Sequence, residues 1–131
     1  MASQKLTGLA REVAEKYRKT LVTLTFNNKK VINTLTEIAK EDTKYANVIV
    51  DCIEARLRKV SADQMLPLMY LIDSICKNHG SPYKEMFNHN LVSNFAFIFQ
   101  QVSEKVRISK HHLKILVQAQ DIFFLLFNTG L

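Results

Sequence analysis

The chain has 131 residues, 47% of them hydrophobic and 23% charged, with three Gly and two Pro. That is the size of one domain with a real core; the composition excludes a disordered chain, and the scarcity of turn residues argues against an all-β sandwich. Lys and Arg number 18 against 12 Asp and Glu, a net charge of +6 that is densest over residues 74–120 and fits either an anionic partner on one side or a basic surface with no specific anion.

The apolar residues repeat at three- and four-residue spacing almost throughout. Residues 1–24 place Leu6, Leu9, Ala10, Val13, Tyr17 and Leu21 on one face of a first amphipathic helix. Thr25-Phe26-Asn27-Asn28 then interrupts it, with an Asn placed to cap a second helix over residues 29–41, whose stripe is Val31, Ile32, Leu35, Ile38 and Ala39. A third helix over residues 45–60 buries Ala46, Ile49, Val50, Ile53 and Leu57. The fourth is expected to begin at Ser61-Ala62-Asp63-Gln64, which reads as a capping box, and to stop at His79-Gly80. Pro67 falls inside that span and should bend the helix or break one hydrogen bond. Ser81-Pro82 reads as a cap followed by Pro at the first position of a short fifth helix reaching Phe87. A sixth helix over residues 90–105 carries Phe95, Phe97 and Phe99, which read as core. A seventh starts near Ser109 and carries Leu113, Leu116 and Val117 towards the apolar run Ile122–Phe127. The pattern is all-α, seven helices on short loops; a right-handed helical array is the expected arrangement, and a globular bundle fits the same pattern.

Cys52 and Cys76 lie in apolar runs without CxxC or framework spacing and read as buried, reduced thiols. The chain reads as intracellular, since it shows neither a glycosylation sequon nor a signal peptide, and Ile122–Phe127 is too short to span a bilayer. No HExxH, GxSxG, P-loop or GxGxxG occurs. His111 and His112 are adjacent, so on a helix they diverge by about 100° and cannot share a metal. His79 and His89 lack a completing ligand. Neither an enzyme nor a metal or other cofactor is expected; the chain reads as a binding module.

The fourth helix has one unusual face. With Tyr70 set at 0° on a helical wheel, Leu68, Leu71, Ile72 and Ile75 fall between about 100° and 200°, while Asp73, Lys77 and Ser74 lie within about 60° of Tyr70. Tyr70 can pack under a neighbouring helix there. Alternatively it offers an aromatic shelf in a ligand groove, with Asp73 as an acceptor for a ligand hydroxyl or amide. A carboxylate at the centre of a groove disfavours duplex DNA, where phosphate contacts dominate.

At these residues the chain resembles a known family. Thr25-Phe26-Asn27-Asn28-Lys29-Lys30, then Ile32-Asn33-Thr34-Leu35, resembles the start of the second helix in RNA polymerase II CTD-interaction domains (CIDs). Leu66-Pro67-Leu68-Met69-Tyr70-Leu71-Ile72-Asp73-Ser74-Ile75-Cys76-Lys77-Asn78 is similar to that family's fourth helix, and in particular to the N-terminal domain of the pre-mRNA 3′-end cleavage and transcription-termination factors. The likeness covers residues 17–117, and residues 1–131 are read as a single such domain. It implies a right-handed superhelix of seven to eight helices, related to ENTH and VHS domains. It also implies a partner, the Tyr-Ser-Pro-Thr-Ser-Pro-Ser tail of the polymerase phosphorylated on the second-position serine, in the nucleus. Other cleavage and polyadenylation factors would be reached through the parent protein. The implied peptide site comprises Asn27, Asn28, Lys29, Lys30 and Ile32 before and on the second helix, Tyr70, Asp73, Ser74 and Lys77 on the fourth, and His112, Leu113 and Leu116 on the seventh. Free N–H groups at Asn28–Lys30 are expected to favour the phosphate.

Two departures stand out. His112 falls where some family members carry an Arg, and imidazole lacks the bidentate guanidinium fork. A Trp common in the family's seventh helix is missing, and Val117 stands near its place; the last helix packs differently or an eighth follows, and the run at 122–127 needs cover. Two other readings of the chain are an RNA-binding helical module, using the basic second half, and an ENTH/VHS-type trafficking adaptor. The Tyr70/Asp73 face is not what a membrane adaptor requires, and no membrane partner is expected.

Overall fold

The computed structural model describes residues 8–103 and 110–129. Among these residues the chain forms seven α-helices and two 3-10 turns, with no strand: α1 (Gly8–Leu21), α2 (Lys29–Glu41), α3 (Ala46–Lys59), α4 (Met65–His79), α5 (Tyr83–His89), α6 (Leu91–Ser103) and α7 (Lys110–Thr129). The 3-10 turns, Thr43–Tyr45 and Ala62–Gln64, lead directly into α3 and α4. Leu6, Arg107 and Ser109 lie outside the described residues.

The helices stack two places on: α1 packs on α3, α2 on α4, α3 on α5 and α5 on α7. This is the order a layered helical array produces when short loops reverse the chain after each helix. In addition α7 packs back on α4, so α4 lies against both α2 and α7. Nine of the fifteen residues of α4 are buried, which makes it the central helix and confines its polar groups to one strip. The stripe expected for it, Leu68, Leu71, Ile72 and Ile75, is buried, as are Ile32, Leu35, Ile38 and Ala39 of α2 and Ile49, Ile53 and Leu57 of α3. Both cysteines are buried and free, and burial pushes the Cys76 thiol up to about 12.

Two fully buried tyrosines, one from α1 and one from α5, hold α2. The Tyr17 hydroxyl of α1 donates to the Leu35 carbonyl at 3.2 Å, and that of Tyr83 in α5 donates to the Ala39 carbonyl at 2.5 Å. Burial raises both phenols, that of Tyr83 to about 12, so both remain donors at neutral pH. A second polar cluster joins α3 to α6. Glu54 accepts from the amides of Asn90 and Asn94 at 2.9 and 2.8 Å, and Arg58 donates to Asn94 Oδ1 at 2.8 Å and to Ser93 Oγ at 3.2 Å while lying over the Phe97 ring. Loss of hydration raises the Glu54 carboxyl above its ordinary value, and the two Asn amides only partly oppose that.

Several local expectations are corrected. Ser61 makes no side-chain cap; its carbonyl instead accepts the Gln64 N–H at 2.9 Å to close the 3-10 turn, and α4 begins four residues later at Met65. Pro67 therefore lies in the first turn of α4, where an N–H has no intrahelical partner to lose, and neither a break nor a bend is required. Pro82 precedes α5 rather than opening it, and α5 continues to His89. Phe99 is 54% exposed, stacked on half-buried Phe95, so α6 does not bury all three of its phenylalanines. Ile122 is buried, sharing with Ala119, Met69 and Ile72 the lining of a void of about 30 Å³, so the start of the apolar run is already covered from within. The Gly80 stop holds: at φ 62° it occupies the left-handed region that a side chain would strain, and its N–H closes α4 onto the Cys76 carbonyl.

Candidate peptide-binding site

The first wall of the site begins at the entry to α2. Leu24 is buried and anchors the connection, leaving Phe26 61% exposed beside Asn27. Asn28 sits in extended backbone and caps α2: its Oδ1 accepts from the N–H groups of Lys30 at 3.1 Å and Val31 at 3.3 Å, and its carbonyl accepts the Ile32 N–H at 2.9 Å. Asn28 thus acts as the expected cap, and for the same reason the Lys30 and Val31 N–H groups are not free for an anion. The Asn28 N–H is also taken, by the Phe26 carbonyl. What the turn offers a ligand is the exposed side chains of Asn27, Lys29 and Lys30 and the positive end of the helix dipole. Ile32 is buried and faces the core.

The central strip of α4 holds Tyr70, Asp73 and Ser74, all half-buried, and exposed Lys77. Tyr70 packs part of its ring against the core and keeps the rest outside. Asp73 pairs with Lys77 Nζ at 3.0 Å across one helical turn, an exposed ammonium that a ligand can displace at small cost. Ser74 is committed to α2. Thr36 donates its single hydroxyl proton to the Ile32 carbonyl at 2.7 Å, so in the 2.8 Å contact between Thr36 Oγ1 and Ser74 Oγ it is Ser74 that donates. The Asn78 amide donates to the Ser74 carbonyl at 2.7 Å. One turn on, His79 Nε2 lies 2.9 Å from the Thr36 carbonyl, which can only accept, so Nε2 carries the proton.

On α7, Leu113 and Val117 are 52% and 56% exposed one turn apart, and Leu116 is half-buried against the core. His112 lies in the first turn of α7, but its side chain is outside the described residues. The structure therefore brings Ser74 into direct contact with α2 and sets Tyr70 and Asp73 on the helix that packs against both α2 and α7. Thr36 and His79 were not among the residues expected at the site. Thr36 stands within the stripe Ile32, Leu35, Thr36, Ala39, and a hydroxyl on an apolar face needs a partner; that signal was readable. Nothing local pairs His79 with a carbonyl 43 positions away.

Among the described residues no cluster of three or more His, Cys, Asp or Glu could hold a metal, and no helix is long and apolar enough to cross a membrane. A family model for the CID domain matches residues 15–123. This chain belongs to the CID family. A CID is a protein-interaction domain rather than a catalytic one. This CID is 38% identical over 95 residues to protein PCF11 of Saccharomyces cerevisiae, a match covering 72% of this chain and 15% of that protein. It is 38% identical over 112 residues to the polyadenylation and cleavage factor homolog 11 of Caenorhabditis elegans, covering 84% and 14% of the two chains. A crystal structure of the RPR of Pcf11 has the same fold, with a TM-score of 0.72 and 32% identity over 83% of this chain and 79% of that one. The chain spans about 15% of the length of the curated relatives it matches.

Proposed function

We propose that this CID binds the heptad-repeat tail of the largest RNA polymerase II subunit, with a preference for the form phosphorylated on the second-position serine. Through that contact its parent protein would couple transcription in the nucleus to mRNA 3′-end cleavage, polyadenylation and termination, alongside other cleavage and polyadenylation factors. The observation that carries the reading is the strip of Tyr70 and Asp73 on α4, the helix that packs against both α2 and α7, in a chain of the CID family. A Tyr-Pro ligand needs an apolar shelf, which the exposed part of Tyr70 and the α7 residues Leu113 and Leu116 supply. Its amides and hydroxyls need an acceptor, which Asp73 supplies once Lys77 swings away. Its phosphate suits the exposed Lys29 and Lys30 at the positive end of α2. One repeat should bind weakly, and the many repeats of a tail raise occupancy through effective concentration.

The test is fluorescence anisotropy with a labelled two-repeat peptide, unmodified and phosphorylated, against wild type and Asp73→Ala. Removing one groove acceptor should cost about 1–3 kcal/mol of binding while leaving the melting temperature nearly unchanged. A folded wild type that ignores both peptides overturns the reading and turns attention to RNA, where a steep salt dependence would be expected. An Asp73→Ala protein that melts early makes Asp73 structural and the groove assignment wrong.

A further inference from the structure

The C-terminal half of α2 is held by side chains from three other helices. Tyr17 of α1 donates to the Leu35 carbonyl, His79 of α4 to the Thr36 carbonyl and Tyr83 of α5 to the Ala39 carbonyl. The Leu35 and Thr36 oxygens lie within the helix, each with a second lone pair to offer beyond the helical N–H, and the Ala39 oxygen lies in the last turn, where it also accepts from Thr43 Oγ1 at 3.3 Å. The bonds come from three different helices, so together they restrict movement of α2 against its neighbours. Of the three donors only His79 stands on α4, and it is backed there by the Ser74–Thr36 hydroxyl pair. The N-terminal half of α2 has no comparable side-chain clamp from another helix among its described hydrogen bonds; its first turn is closed by Asn28 alone.

We infer that His79, together with Thr36, is a positioning residue that sets the α2 wall relative to the Tyr70/Asp73 strip without touching a ligand. The inference rests on the peptide-binding reading above. A helix is stiff along its length, so the register fixed at residues 35–39 is carried two turns back to Asn28–Lys30 and the exposed lysines there. His79 is half-buried at the last position of α4, and Gly80 turns the chain away directly after it, which holds the imidazole over α2 instead of letting it follow the helix into solvent. The bond needs only the Nε2 proton, so a side chain that presents an N–H at the same reach can replace it.

The test compares wild type, His79→Phe, His79→Gln and Thr36→Val in the 131-residue chain, well below their melting temperatures. His79→Phe keeps the ring volume and loses the donor; His79→Gln keeps a donor; Thr36→Val removes the hydroxyl pair at nearly constant volume. His79→Phe should weaken binding of the phosphorylated two-repeat peptide by roughly three- to tenfold, the worth of one hydrogen bond, and His79→Gln should recover most of it. In the absence of peptide, backbone amide resonances of Lys29, Lys30 and Ile32 should shift in His79→Phe and return towards wild type in His79→Gln. Thr36→Val should shift the same amides, so the inference does not hang on one variant. Unchanged resonances in both His79→Phe and Thr36→Val overturn it, and so do shifted resonances with unchanged affinity. Should wild type bind neither peptide, the tail-binding reading fails by itself, and the resonances of the first turn of α2 still decide whether the seam positions it.

Discussion

The seam between α2 and α4 is built from a hydroxyl pair and an imidazole on a carbonyl, whereas α3 and α6 are joined through a carboxylate, two amides and a guanidinium. The seam carries two such bonds and the cluster four, and the two also differ in what happens when one member is lost. In the seam Thr36 keeps a second bond when one is lost: its hydroxyl still holds the Ile32 carbonyl, and its own carbonyl still accepts within α2. In the α3–α6 cluster, Glu54 is the acceptor for both Asn90 and Asn94, and Asn94 is itself buried. The seam is therefore a positional device with low stakes for folding, placed beside the candidate site. The charged cluster lies away from α2 and has high stakes for folding.

That contrast can be broken by experiment. Glu54→Ala should have the largest effect, about 1–3 kcal/mol of stability by chemical denaturation, because it leaves a buried amide without its acceptor. It should leave peptide affinity within about twofold of wild type, since Glu54 is on neither α2 nor α4. Thr36→Val should cost less, about 0.5–1.5 kcal/mol, and should alter affinity more than Glu54→Ala does. The reverse ranking in either measurement would erase the distinction between the two networks.

A smaller and more diagnostic effect is the pH dependence. Burial raises the folded-state value of Glu54, so the native state holds that proton more tightly than the unfolded chain. Stability from this group is therefore greatest below the ordinary glutamate range and declines as pH rises through the raised folded value. Glu54→Gln should flatten that part of a plot of melting temperature against pH. The seam has no carboxylate, so Thr36→Val should leave the slope as it is. Parallel curves for wild type and Glu54→Gln would show that the decline has another source.

Much of this was legible beforehand. The helices, the Asn28 cap and the Gly80 stop follow from short-range spacing, because a cap or a left-handed residue acts within four positions. Legibility failed where a local signal had a competitor of similar strength. Ser61-Ala62-Asp63-Gln64 has the letters of a capping box, yet a 3-10 turn closed by the Ser61 carbonyl used the same residues, and Pro67 was displaced into a harmless position as a result. The α6 phenylalanines share one hydrophobicity but not one environment: Phe97 lies under Arg58, and Phe99 stacks outward on Phe95. At the site, the Tyr70/Asp73 strip was visible on a helical wheel because both lie on one helix. The commitment of Ser74 to Thr36, and of the Lys30 and Val31 N–H groups to Asn28, was not part of that picture.

By itself the sequence determined the class of fold, the faces that turn inward and the strip of α4 that is left polar, because periodicity and end signals are properties of a single helix. Only the tertiary structure decided which helices flank that strip, that His79 reaches the Thr36 carbonyl, and that Glu54 gathers Asn90 and Asn94. The physical reason is that these pairings join residues 36 to 43 positions apart. A donor or acceptor carries no mark of its distant partner; the partner is chosen when burial of the apolar stripes sets the register of one helix on another.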